Sequence, residues 1–158
     1  MLGKIQAIEE VSDIQVRPAA RLDGRGGRLG FSGMLDALMV GSTSMDGYRV
    51  QTDLHTFHVL VSNGQSCCES WGYLCSEDNP QQFLGAELLE VRLTDTALKP
   101  EVVEKSGYYG GDCGGIQFVD FVTDRGTFQL AVYNAHNGYY GHEVLIAKDE
   151  EIILRDVL

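Results

Sequence analysis

Residues 116–136, IQFVDFVTDRGTFQLAVYNAH, contain two largely apolar runs that are separated by Asp124, Arg125 and Gly126. Aromatic and β-branched residues favour strands, and a short glycine-containing link favours an antiparallel hairpin of 116–123 with 126–136. Similar patterns predict further strands at 4–11, 48–53, 55–62, 87–95 and 143–148. The last residues, 151–158, fit either an edge strand or a short helix.

Helical signals are few. Residues 31–40, FSGMLDALMV, have the apolar spacing of a helix, and 79–87 suggests a helical turn with Asn79 as cap and Pro80 in its first position. The arginine- and glycine-rich stretch 17–30 is predicted to be a mobile loop, and 99–115 a long glycine-rich loop. The sequence therefore predicts a single α+β domain over 1–158, mostly antiparallel β-sheet with one or two short helices.

The chain is acidic. Its 158 residues include 12 Lys and Arg against 23 Asp and Glu, which gives a net charge of −11. Residues 1–28 carry five basic and four acidic side chains, so the remainder carries −12. This balance disfavours binding to a phosphate backbone and favours attraction to a basic protein surface. The composition also predicts no transmembrane helix and no secretory signal.

Four cysteines, Cys67, Cys68, Cys75 and Cys113, suggest a metal site in a reducing compartment. Thiolates are soft ligands that hold structural Zn²⁺ in a tetrahedron, although this spacing is not that of a paired C-x2-C site. His58, His136 or Asp112 is an alternative fourth ligand. The competing hypothesis is four reduced, inert thiols, mostly buried as small hydrophobic side chains.

Residues 133–144, YNAHNGYYGHEV, crowd polar and aromatic side chains around two glycines. One interpretation is a contact surface at the tip of a hairpin, because tyrosine is a rigid interface anchor. The other is an ordinary Asn-Gly hairpin turn with Tyr139 packed and Tyr140 exposed.

A cysteine hydrolase is a further alternative, since Cys113, His136 and Asn134 have the residue types of a nucleophile, a base and an orienting amide. Asp112 argues against it, because a neighbouring carboxylate raises the pKa of a thiol. No other nucleophile and base pair stands out, so we predict that the chain is not an enzyme.

Three motifs, SCCES (66–70), FLGAELLEV (83–91) and HNGYYGHEVLI (136–146), occur in this order. With them, residues 46–148 resemble a small uncharacterised domain family that is common in bacteriophages. Some members resemble type II-A anti-CRISPR proteins, which act on the RNA-guided DNA nuclease of the host. The stretches 17–30 and 107–115 depart from the family pattern.

The resemblance implies an acidic phage inhibitor that binds a basic surface of the type II CRISPR nuclease in the cytoplasm of the bacterial host and blocks target-DNA loading. A structural zinc on the four cysteines and no direct contact with nucleic acid or membrane complete this expectation. The alternative is a phage accessory domain without inhibitory activity. The predicted partner-binding residues are Glu69, Glu77, Asp78, Tyr139 and Tyr140.

Overall fold

The computed structural model describes residues 1–16, 43–108 and 113–158. Within these ranges the chain forms nine strands, one 3₁₀ helix at Pro80–Phe83 and one short α-helix, α1, at Pro100–Lys105. The strands are β1 (Ile5–Val16), β2 (Thr43–Thr52), β3 (Thr56–Ser62), β4 (Ser70–Cys75), β5 (Leu88–Thr94), β6 (Cys113–Thr123), β7 (Gly126–His136), β8 (Glu143–Lys148) and β9 (Glu151–Val157).

The strands form two antiparallel sheets. The first sheet has the order β1-β2-β3-β8-β9, and the second has the order β4-β7-β6-β5. Backbone hydrogen bonds from Leu2 to Leu88 and from Ile5 to Ala86 join the two sheets at one corner. The predicted antiparallel sheet is confirmed, whereas the α+β label applies only loosely, because α1 has just six residues.

The core lies between the two sheets. Side chains alternate across a strand, so every second residue of β3 and of β7 faces inward. On β7 these residues include Phe128 and Leu130, both fully buried. The Phe128 ring stacks on Phe121 with centroids 5.0 Å apart, and Phe57 from the first sheet meets Phe121 edge-on at 5.9 Å. Each such side chain contributes about 1.5–3 kcal/mol when fully buried.

The hairpin that was predicted for 116–136 is confirmed. Thr123 pairs with Gly126, so only Asp124 and Arg125 lie between the paired positions. Gly126 has a φ of +119°, a conformation that glycine adopts without the penalty of a Cβ atom. The Thr123 hydroxyl donates a hydrogen bond of 2.7 Å to the carbonyl of Gly126, which closes the turn.

Several local predictions differ from the structure. The cysteine-rich stretch contains β4, which was not predicted, and Asn63-Gly64 lies in a link between the sheets rather than in a hairpin. The segment 99–115 was predicted to be a loop, yet it contains α1 and the start of β6. The side chain of Asn79 makes no capping hydrogen bond. The loop predicted at 17–30 and the helix predicted at 31–40 lie outside the described residues. Of the alternatives for 151–158, the edge strand is correct.

A buried polar network fastens the link between β5 and α1 to the outer face of the second sheet. The Gln129 amide donates to Asp120 at 2.8 Å and to the Thr96 carbonyl at 3.0 Å, and its oxygen accepts the Leu98 N–H at 2.9 Å. Arg92 donates to the other oxygen of Asp120 at 3.1 Å. These contacts satisfy the buried groups and position α1 beside β4.

Among the described residues, no helix has the length and apolar character that crossing a bilayer requires.

Gly47 of β2 provides a test of the sheet geometry. Its φ is +155°, and a Cβ atom there would lie 2.0 Å from the carbonyl oxygen of Val59 on β3. We expect Gly47→Ala to lower the free energy of unfolding by about 1–3 kcal/mol, because a backbone atom must move to admit the methyl group. Chemical denaturation measures the change.

Gly64→Ala is the matched control, since a Cβ atom at Gly64 would have no neighbour within 4 Å. Equal stability of the two variants would contradict the close approach of β2 and β3 at this position.

Candidate functional site

Two links between the sheets lie side by side at one end of the sandwich. Residues 63–69 lead from β3 to β4, and residues 137–142 lead from β7 to β8. Because β3 pairs with β8 and β4 pairs with β7, both links cross the gap at the same end. We call these two links, together with Cys113 at the start of β6, the crossover end. The segment NGYYGH is therefore not a hairpin turn, since β7 and β8 belong to different sheets.

A buried pair of Glu69 and His142 joins the two links. The His142 Nε2 atom lies 3.1 Å from Glu69 Oε1, and the two side chains are 3% and 0% exposed. Glu69 Oε1 also accepts the backbone N–H of Ser66 at 2.7 Å, and Oε2 accepts that of Cys67 at 2.9 Å. The carboxylate thus holds the cysteine-bearing link in one conformation.

His142 is held on its other sides as well. Its Nδ1 atom lies 2.5 Å from the carbonyl oxygen of Ser62 and 3.2 Å from the Ser62 hydroxyl. The Trp71 ring stacks on the imidazole with centroids 5.3 Å apart. Since the carbonyl and the ionised carboxylate only accept hydrogen bonds, the ring donates from both nitrogens. Glu69 and His142 then form a buried ion pair.

The environment of Glu69 keeps its carboxyl group ionised. Burial raises its pKa, but the N–H groups of Ser66 and Cys67 and the contact with His142 outweigh burial and lower the pKa to about 2. Hydrogen bonds to the charged form of a carboxyl group have this effect.

Ser62, His142 and Glu69 have the residue types of a hydrolase triad, but their geometry does not fit that role. A general base needs a free lone pair that faces the nucleophile. Here the nitrogen closest to the Ser62 hydroxyl faces the Ser62 carbonyl at 2.5 Å and donates to it. Trp71 covers the ring, so the arrangement is structural.

The structure separates the four predicted zinc ligands. Cys67, Cys68 and Cys113 are exposed at the crossover end. Cys75 pairs with Leu130, whereas Cys113 pairs with His136, six residues further along β7. Six residues of a strand span about 20 Å, so Cys75 is too distant to share a metal ion with Cys113. The described residues contain no group of three or more His, Cys, Asp and Glu side chains that fits a metal ion. Zinc binding at this end stays a prediction.

The thiols of the crossover end retain their protons. A hydrogen bond with Cys67, followed by its charge, raises the pKa of Cys68, and the same two effects raise the pKa of Tyr140. Since the thiolate is the nucleophile and the metal ligand, these contacts oppose both roles in the metal-free protein.

Of the alternative hydrolase residues, Cys113 and His136 are brought together but Asn134 is not. Cys113 and His136 are paired across β6 and β7. The His136 Nδ1 atom accepts the N–H of Gly138 at 3.0 Å and that of Tyr140 at 3.3 Å. Asn134 donates instead to the carbonyls of Tyr140 and Leu158. It therefore does not orient the imidazole as an orienting amide must.

The predicted partner-binding residues fall into three places. Glu69 is buried, so we reassign it from a surface contact to the clamp between the two links. Tyr139 is 85% exposed at the crossover end, and Tyr140 beside it is partly buried, which is the reverse of the packed Tyr139 in the simple hairpin interpretation. Glu77 and Asp78 follow β4 at the opposite end of the sandwich.

Glu77 and Asp78 border a second feature, which we call the acidic cleft. This cleft of about 400 Å³ lies between β1, β2 and the segment that follows β4. Its lining residues are Ile8, Glu9, Glu10, Tyr48, Cys75, Glu77, Asp78, Pro80 and Gln81. Glu9 pairs with Arg49 at 2.6 Å and Glu77 with Lys99 at 2.7 Å, whereas Glu10 and Asp78 have no ion-pair partner among the described residues.

Sequence reasoning missed both the clamp and the cleft. Glu69 and His142 occur in the motifs SCCES and HNGYYGHEVLI, but they are 73 positions apart, and no local pattern indicates that they touch. Tyr48 carried no signal at all beyond its place in a predicted strand.

The clamp makes a pH-dependent prediction. The pKa of Glu69 is lowered to about 2 in the folded protein, so its contribution to stability is present above the ordinary carboxyl pKa. That contribution is lost as the pH falls from about 5 towards 2. We expect Glu69→Gln to lower the free energy of unfolding by about 3–5 kcal/mol at neutral pH, since it leaves His142 buried without its anion. Denaturant titrations at a series of pH values measure both effects.

Glu90→Gln serves as the control, because the Glu90 side chain on β5 is 58% exposed. If Glu69→Gln left the acid-dependent loss of stability as steep as in the original chain, the clamp would not be its source.

The thiols provide a second test. We expect Cys67, Cys68 and Cys113 to react rapidly with a thiol reagent in the folded protein, and the partly buried Cys75 to react only slowly. Burial, with the charges of Glu77 and Asp78, also raises the pKa of Cys75. Bound zinc at the crossover end would instead protect the three exposed thiols and leave Cys75→Ser with an unchanged zinc content by elemental analysis.

Residues 2–146 match the model of a family described as a domain of unknown function, DUF7448. No curated protein and no solved structure matches the chain significantly. The match spans both links of the crossover end and the acidic cleft, and it agrees with the expected uncharacterised domain family. The chain therefore belongs to the DUF7448 family.

Proposed function

We propose that this chain is a non-enzymatic binding module whose acidic surface docks on a basic surface of another protein. The observation that carries the proposal is the charge of the described residues, which include 20 acidic and eight basic side chains. Fields of this size steer association and select partners of opposite charge.

The acidic cleft is the contact that this function favours. It has four carboxylates on its walls, and only Arg49 and Lys99 neutralise them. Glu10 and Asp78 are exposed and have no ion-pair partner among the described residues, so a basic side chain of a partner can approach them without displacing an existing pair. An incoming cation then gains attraction without breaking a bond.

The partner proposed from the sequence resemblance is the type II RNA-guided DNA nuclease of a bacterial host. Such nucleases hold the guide–target heteroduplex in a positively charged channel. A rigid body with a net charge of −12 over its described residues complements that channel and would exclude target DNA from it. In this proposal the chain is a phage protein that acts in the host cytoplasm.

The crossover end supplies a second surface on the same rigid body. Tyr139 is 85% exposed, and the clamp of Glu69 and His142 fixes the links on which it lies. A rigid, exposed tyrosine gains interface area at a small cost in side-chain entropy. A partner of nuclease size is large enough to contact both ends.

The proposal is tested by titrating the purified nuclease, loaded with guide RNA, with this chain at several salt concentrations. We expect binding that weakens at least roughly tenfold between about 50 mM and about 300 mM salt, because exposed charges are screened. Prior addition of the chain should prevent the nuclease from binding target DNA. We expect Asp78→Lys to weaken binding by about tenfold.

Glu90→Lys makes the same charge change on β5, at the opposite edge of the second sheet from β4. Equal losses in the two variants would mean that only the total charge matters. Absence of binding even at low salt would refute the inhibitor and leave the accessory domain as the alternative.

A further inference from the structure

The acidic cleft contains a buried hydroxyl group without a partner. Tyr48 of β2 is 6% exposed and lines the cleft, and its ring meets that of Tyr73 edge-on at 5.3 Å. Its hydroxyl makes no hydrogen bond with any described residue, whereas the similarly buried Tyr133 donates to the carbonyl of Ser106 at 3.3 Å. A buried polar group without a partner is costly, so such groups are rare in native proteins.

The walls of the cleft present acceptors in excess of donors. Arg49 is already engaged by Glu9, and Lys99 by Glu77. Glu10 and Asp78 therefore face the cleft without a cation among the described residues. The carboxylates and the hydroxyl belong to different elements: Glu10 is on β1, Tyr48 on β2 and Asp78 in the segment after β4.

The titration of the neighbouring groups is independent evidence for a negative potential in the cleft. Burial, then Cys75 and Glu10, raises the pKa of Tyr48. Burial, then Glu10 and Asp46, raises the pKa of Tyr73. An anion close to a neutral acid has this effect, and it also favours the binding of a cation.

We propose that the acidic cleft binds the guanidinium group of an arginine side chain, with the Tyr48 hydroxyl and the carboxylates of Glu10 and Asp78 as acceptors. This inference deepens the proposed function and rests on it, since the arginine belongs to the basic partner. The cleft volume of about 400 Å³ lies in the range of about 300–1,000 Å³ that is usual for small-ligand sites.

A guanidinium group fits better than the alternatives. It offers five N–H donors in a planar fork, which suits acceptors that come from three separate elements, whereas an ammonium group is a compact point charge. Its flat face also packs well on aromatic rings such as those of Tyr48 and Tyr73. A divalent metal ion needs converging oxygen ligands, and the described residues contain no such group of acidic side chains.

The test uses three small probes of similar shape: ethylguanidinium, ethylammonium and the neutral ethylurea. Their binding to the full chain is measured by NMR titration. We expect ethylguanidinium to bind most tightly and ethylurea least, with shifts in residues that line the cleft. Tyr48→Phe removes only the hydroxyl, and we expect it to weaken ethylguanidinium by about tenfold while the protein stays folded. Glu10→Gln should weaken it by a similar factor, and Glu90→Gln should leave it unchanged.

Equal binding of the three probes, or full retention of ethylguanidinium binding in Tyr48→Phe and Glu10→Gln, would overturn the inference. The outcome is separable from the proposed function. Ethylguanidinium binding without nuclease binding would retain the arginine site and refute the nuclease as partner. Nuclease binding that Tyr48→Phe and Glu10→Gln leave unchanged would retain the binding module and exclude the cleft as its contact.

Discussion

The hydrogen-bonded ion pair of Glu69 and His142 is the constraint on which the crossover end depends. Moving two charges out of water costs several kcal/mol each, and their mutual attraction offsets this cost only where further hydrogen bonds satisfy the remaining atoms. Here the N–H groups of Ser66 and Cys67 and the carbonyl of Ser62 meet that condition. The pair also joins residues that are 73 positions apart, so the two sheets are correctly aligned only when both links are in place.

The clamp explains how exposed, polar links remain ordered at the end of a sandwich. Backbone groups in such links have no strand partners, and here side chains replace them. Glu69 accepts two N–H groups of the first link, and the Nδ1 atom of His136 accepts two N–H groups of the second. Asn134 fastens the second link to Leu158 through the carbonyls of both segments. Tyr139 is therefore exposed on a rigid support.

Local sequence patterns predict the parts of the fold that depend on neighbours in sequence. The hairpin of β6 and β7 is correct because its apolar alternation and its turn lie within 21 consecutive residues. β4 was missed because it is short, contains Gly72 and two cysteine-rich flanks, and pairs with β7, whose residues lie about 60 positions later. The pairing of Glu69 with His142 and the distance of Cys75 from Cys113 depend on this register, which a strand's own residues do not specify.

The two ends of the sandwich separate stability from recognition. At the crossover end the charged groups are buried and mutually satisfied, so their removal acts on folding. At the acidic cleft Glu10 and Asp78 are exposed without a cation among the described residues, and the Tyr48 hydroxyl has no partner there. Removing that hydroxyl costs the folded chain no hydrogen bond, because none is made. Groups that contribute little to the fold yet share one cleft are most simply explained by a ligand, and their charge specifies that the ligand is a cation.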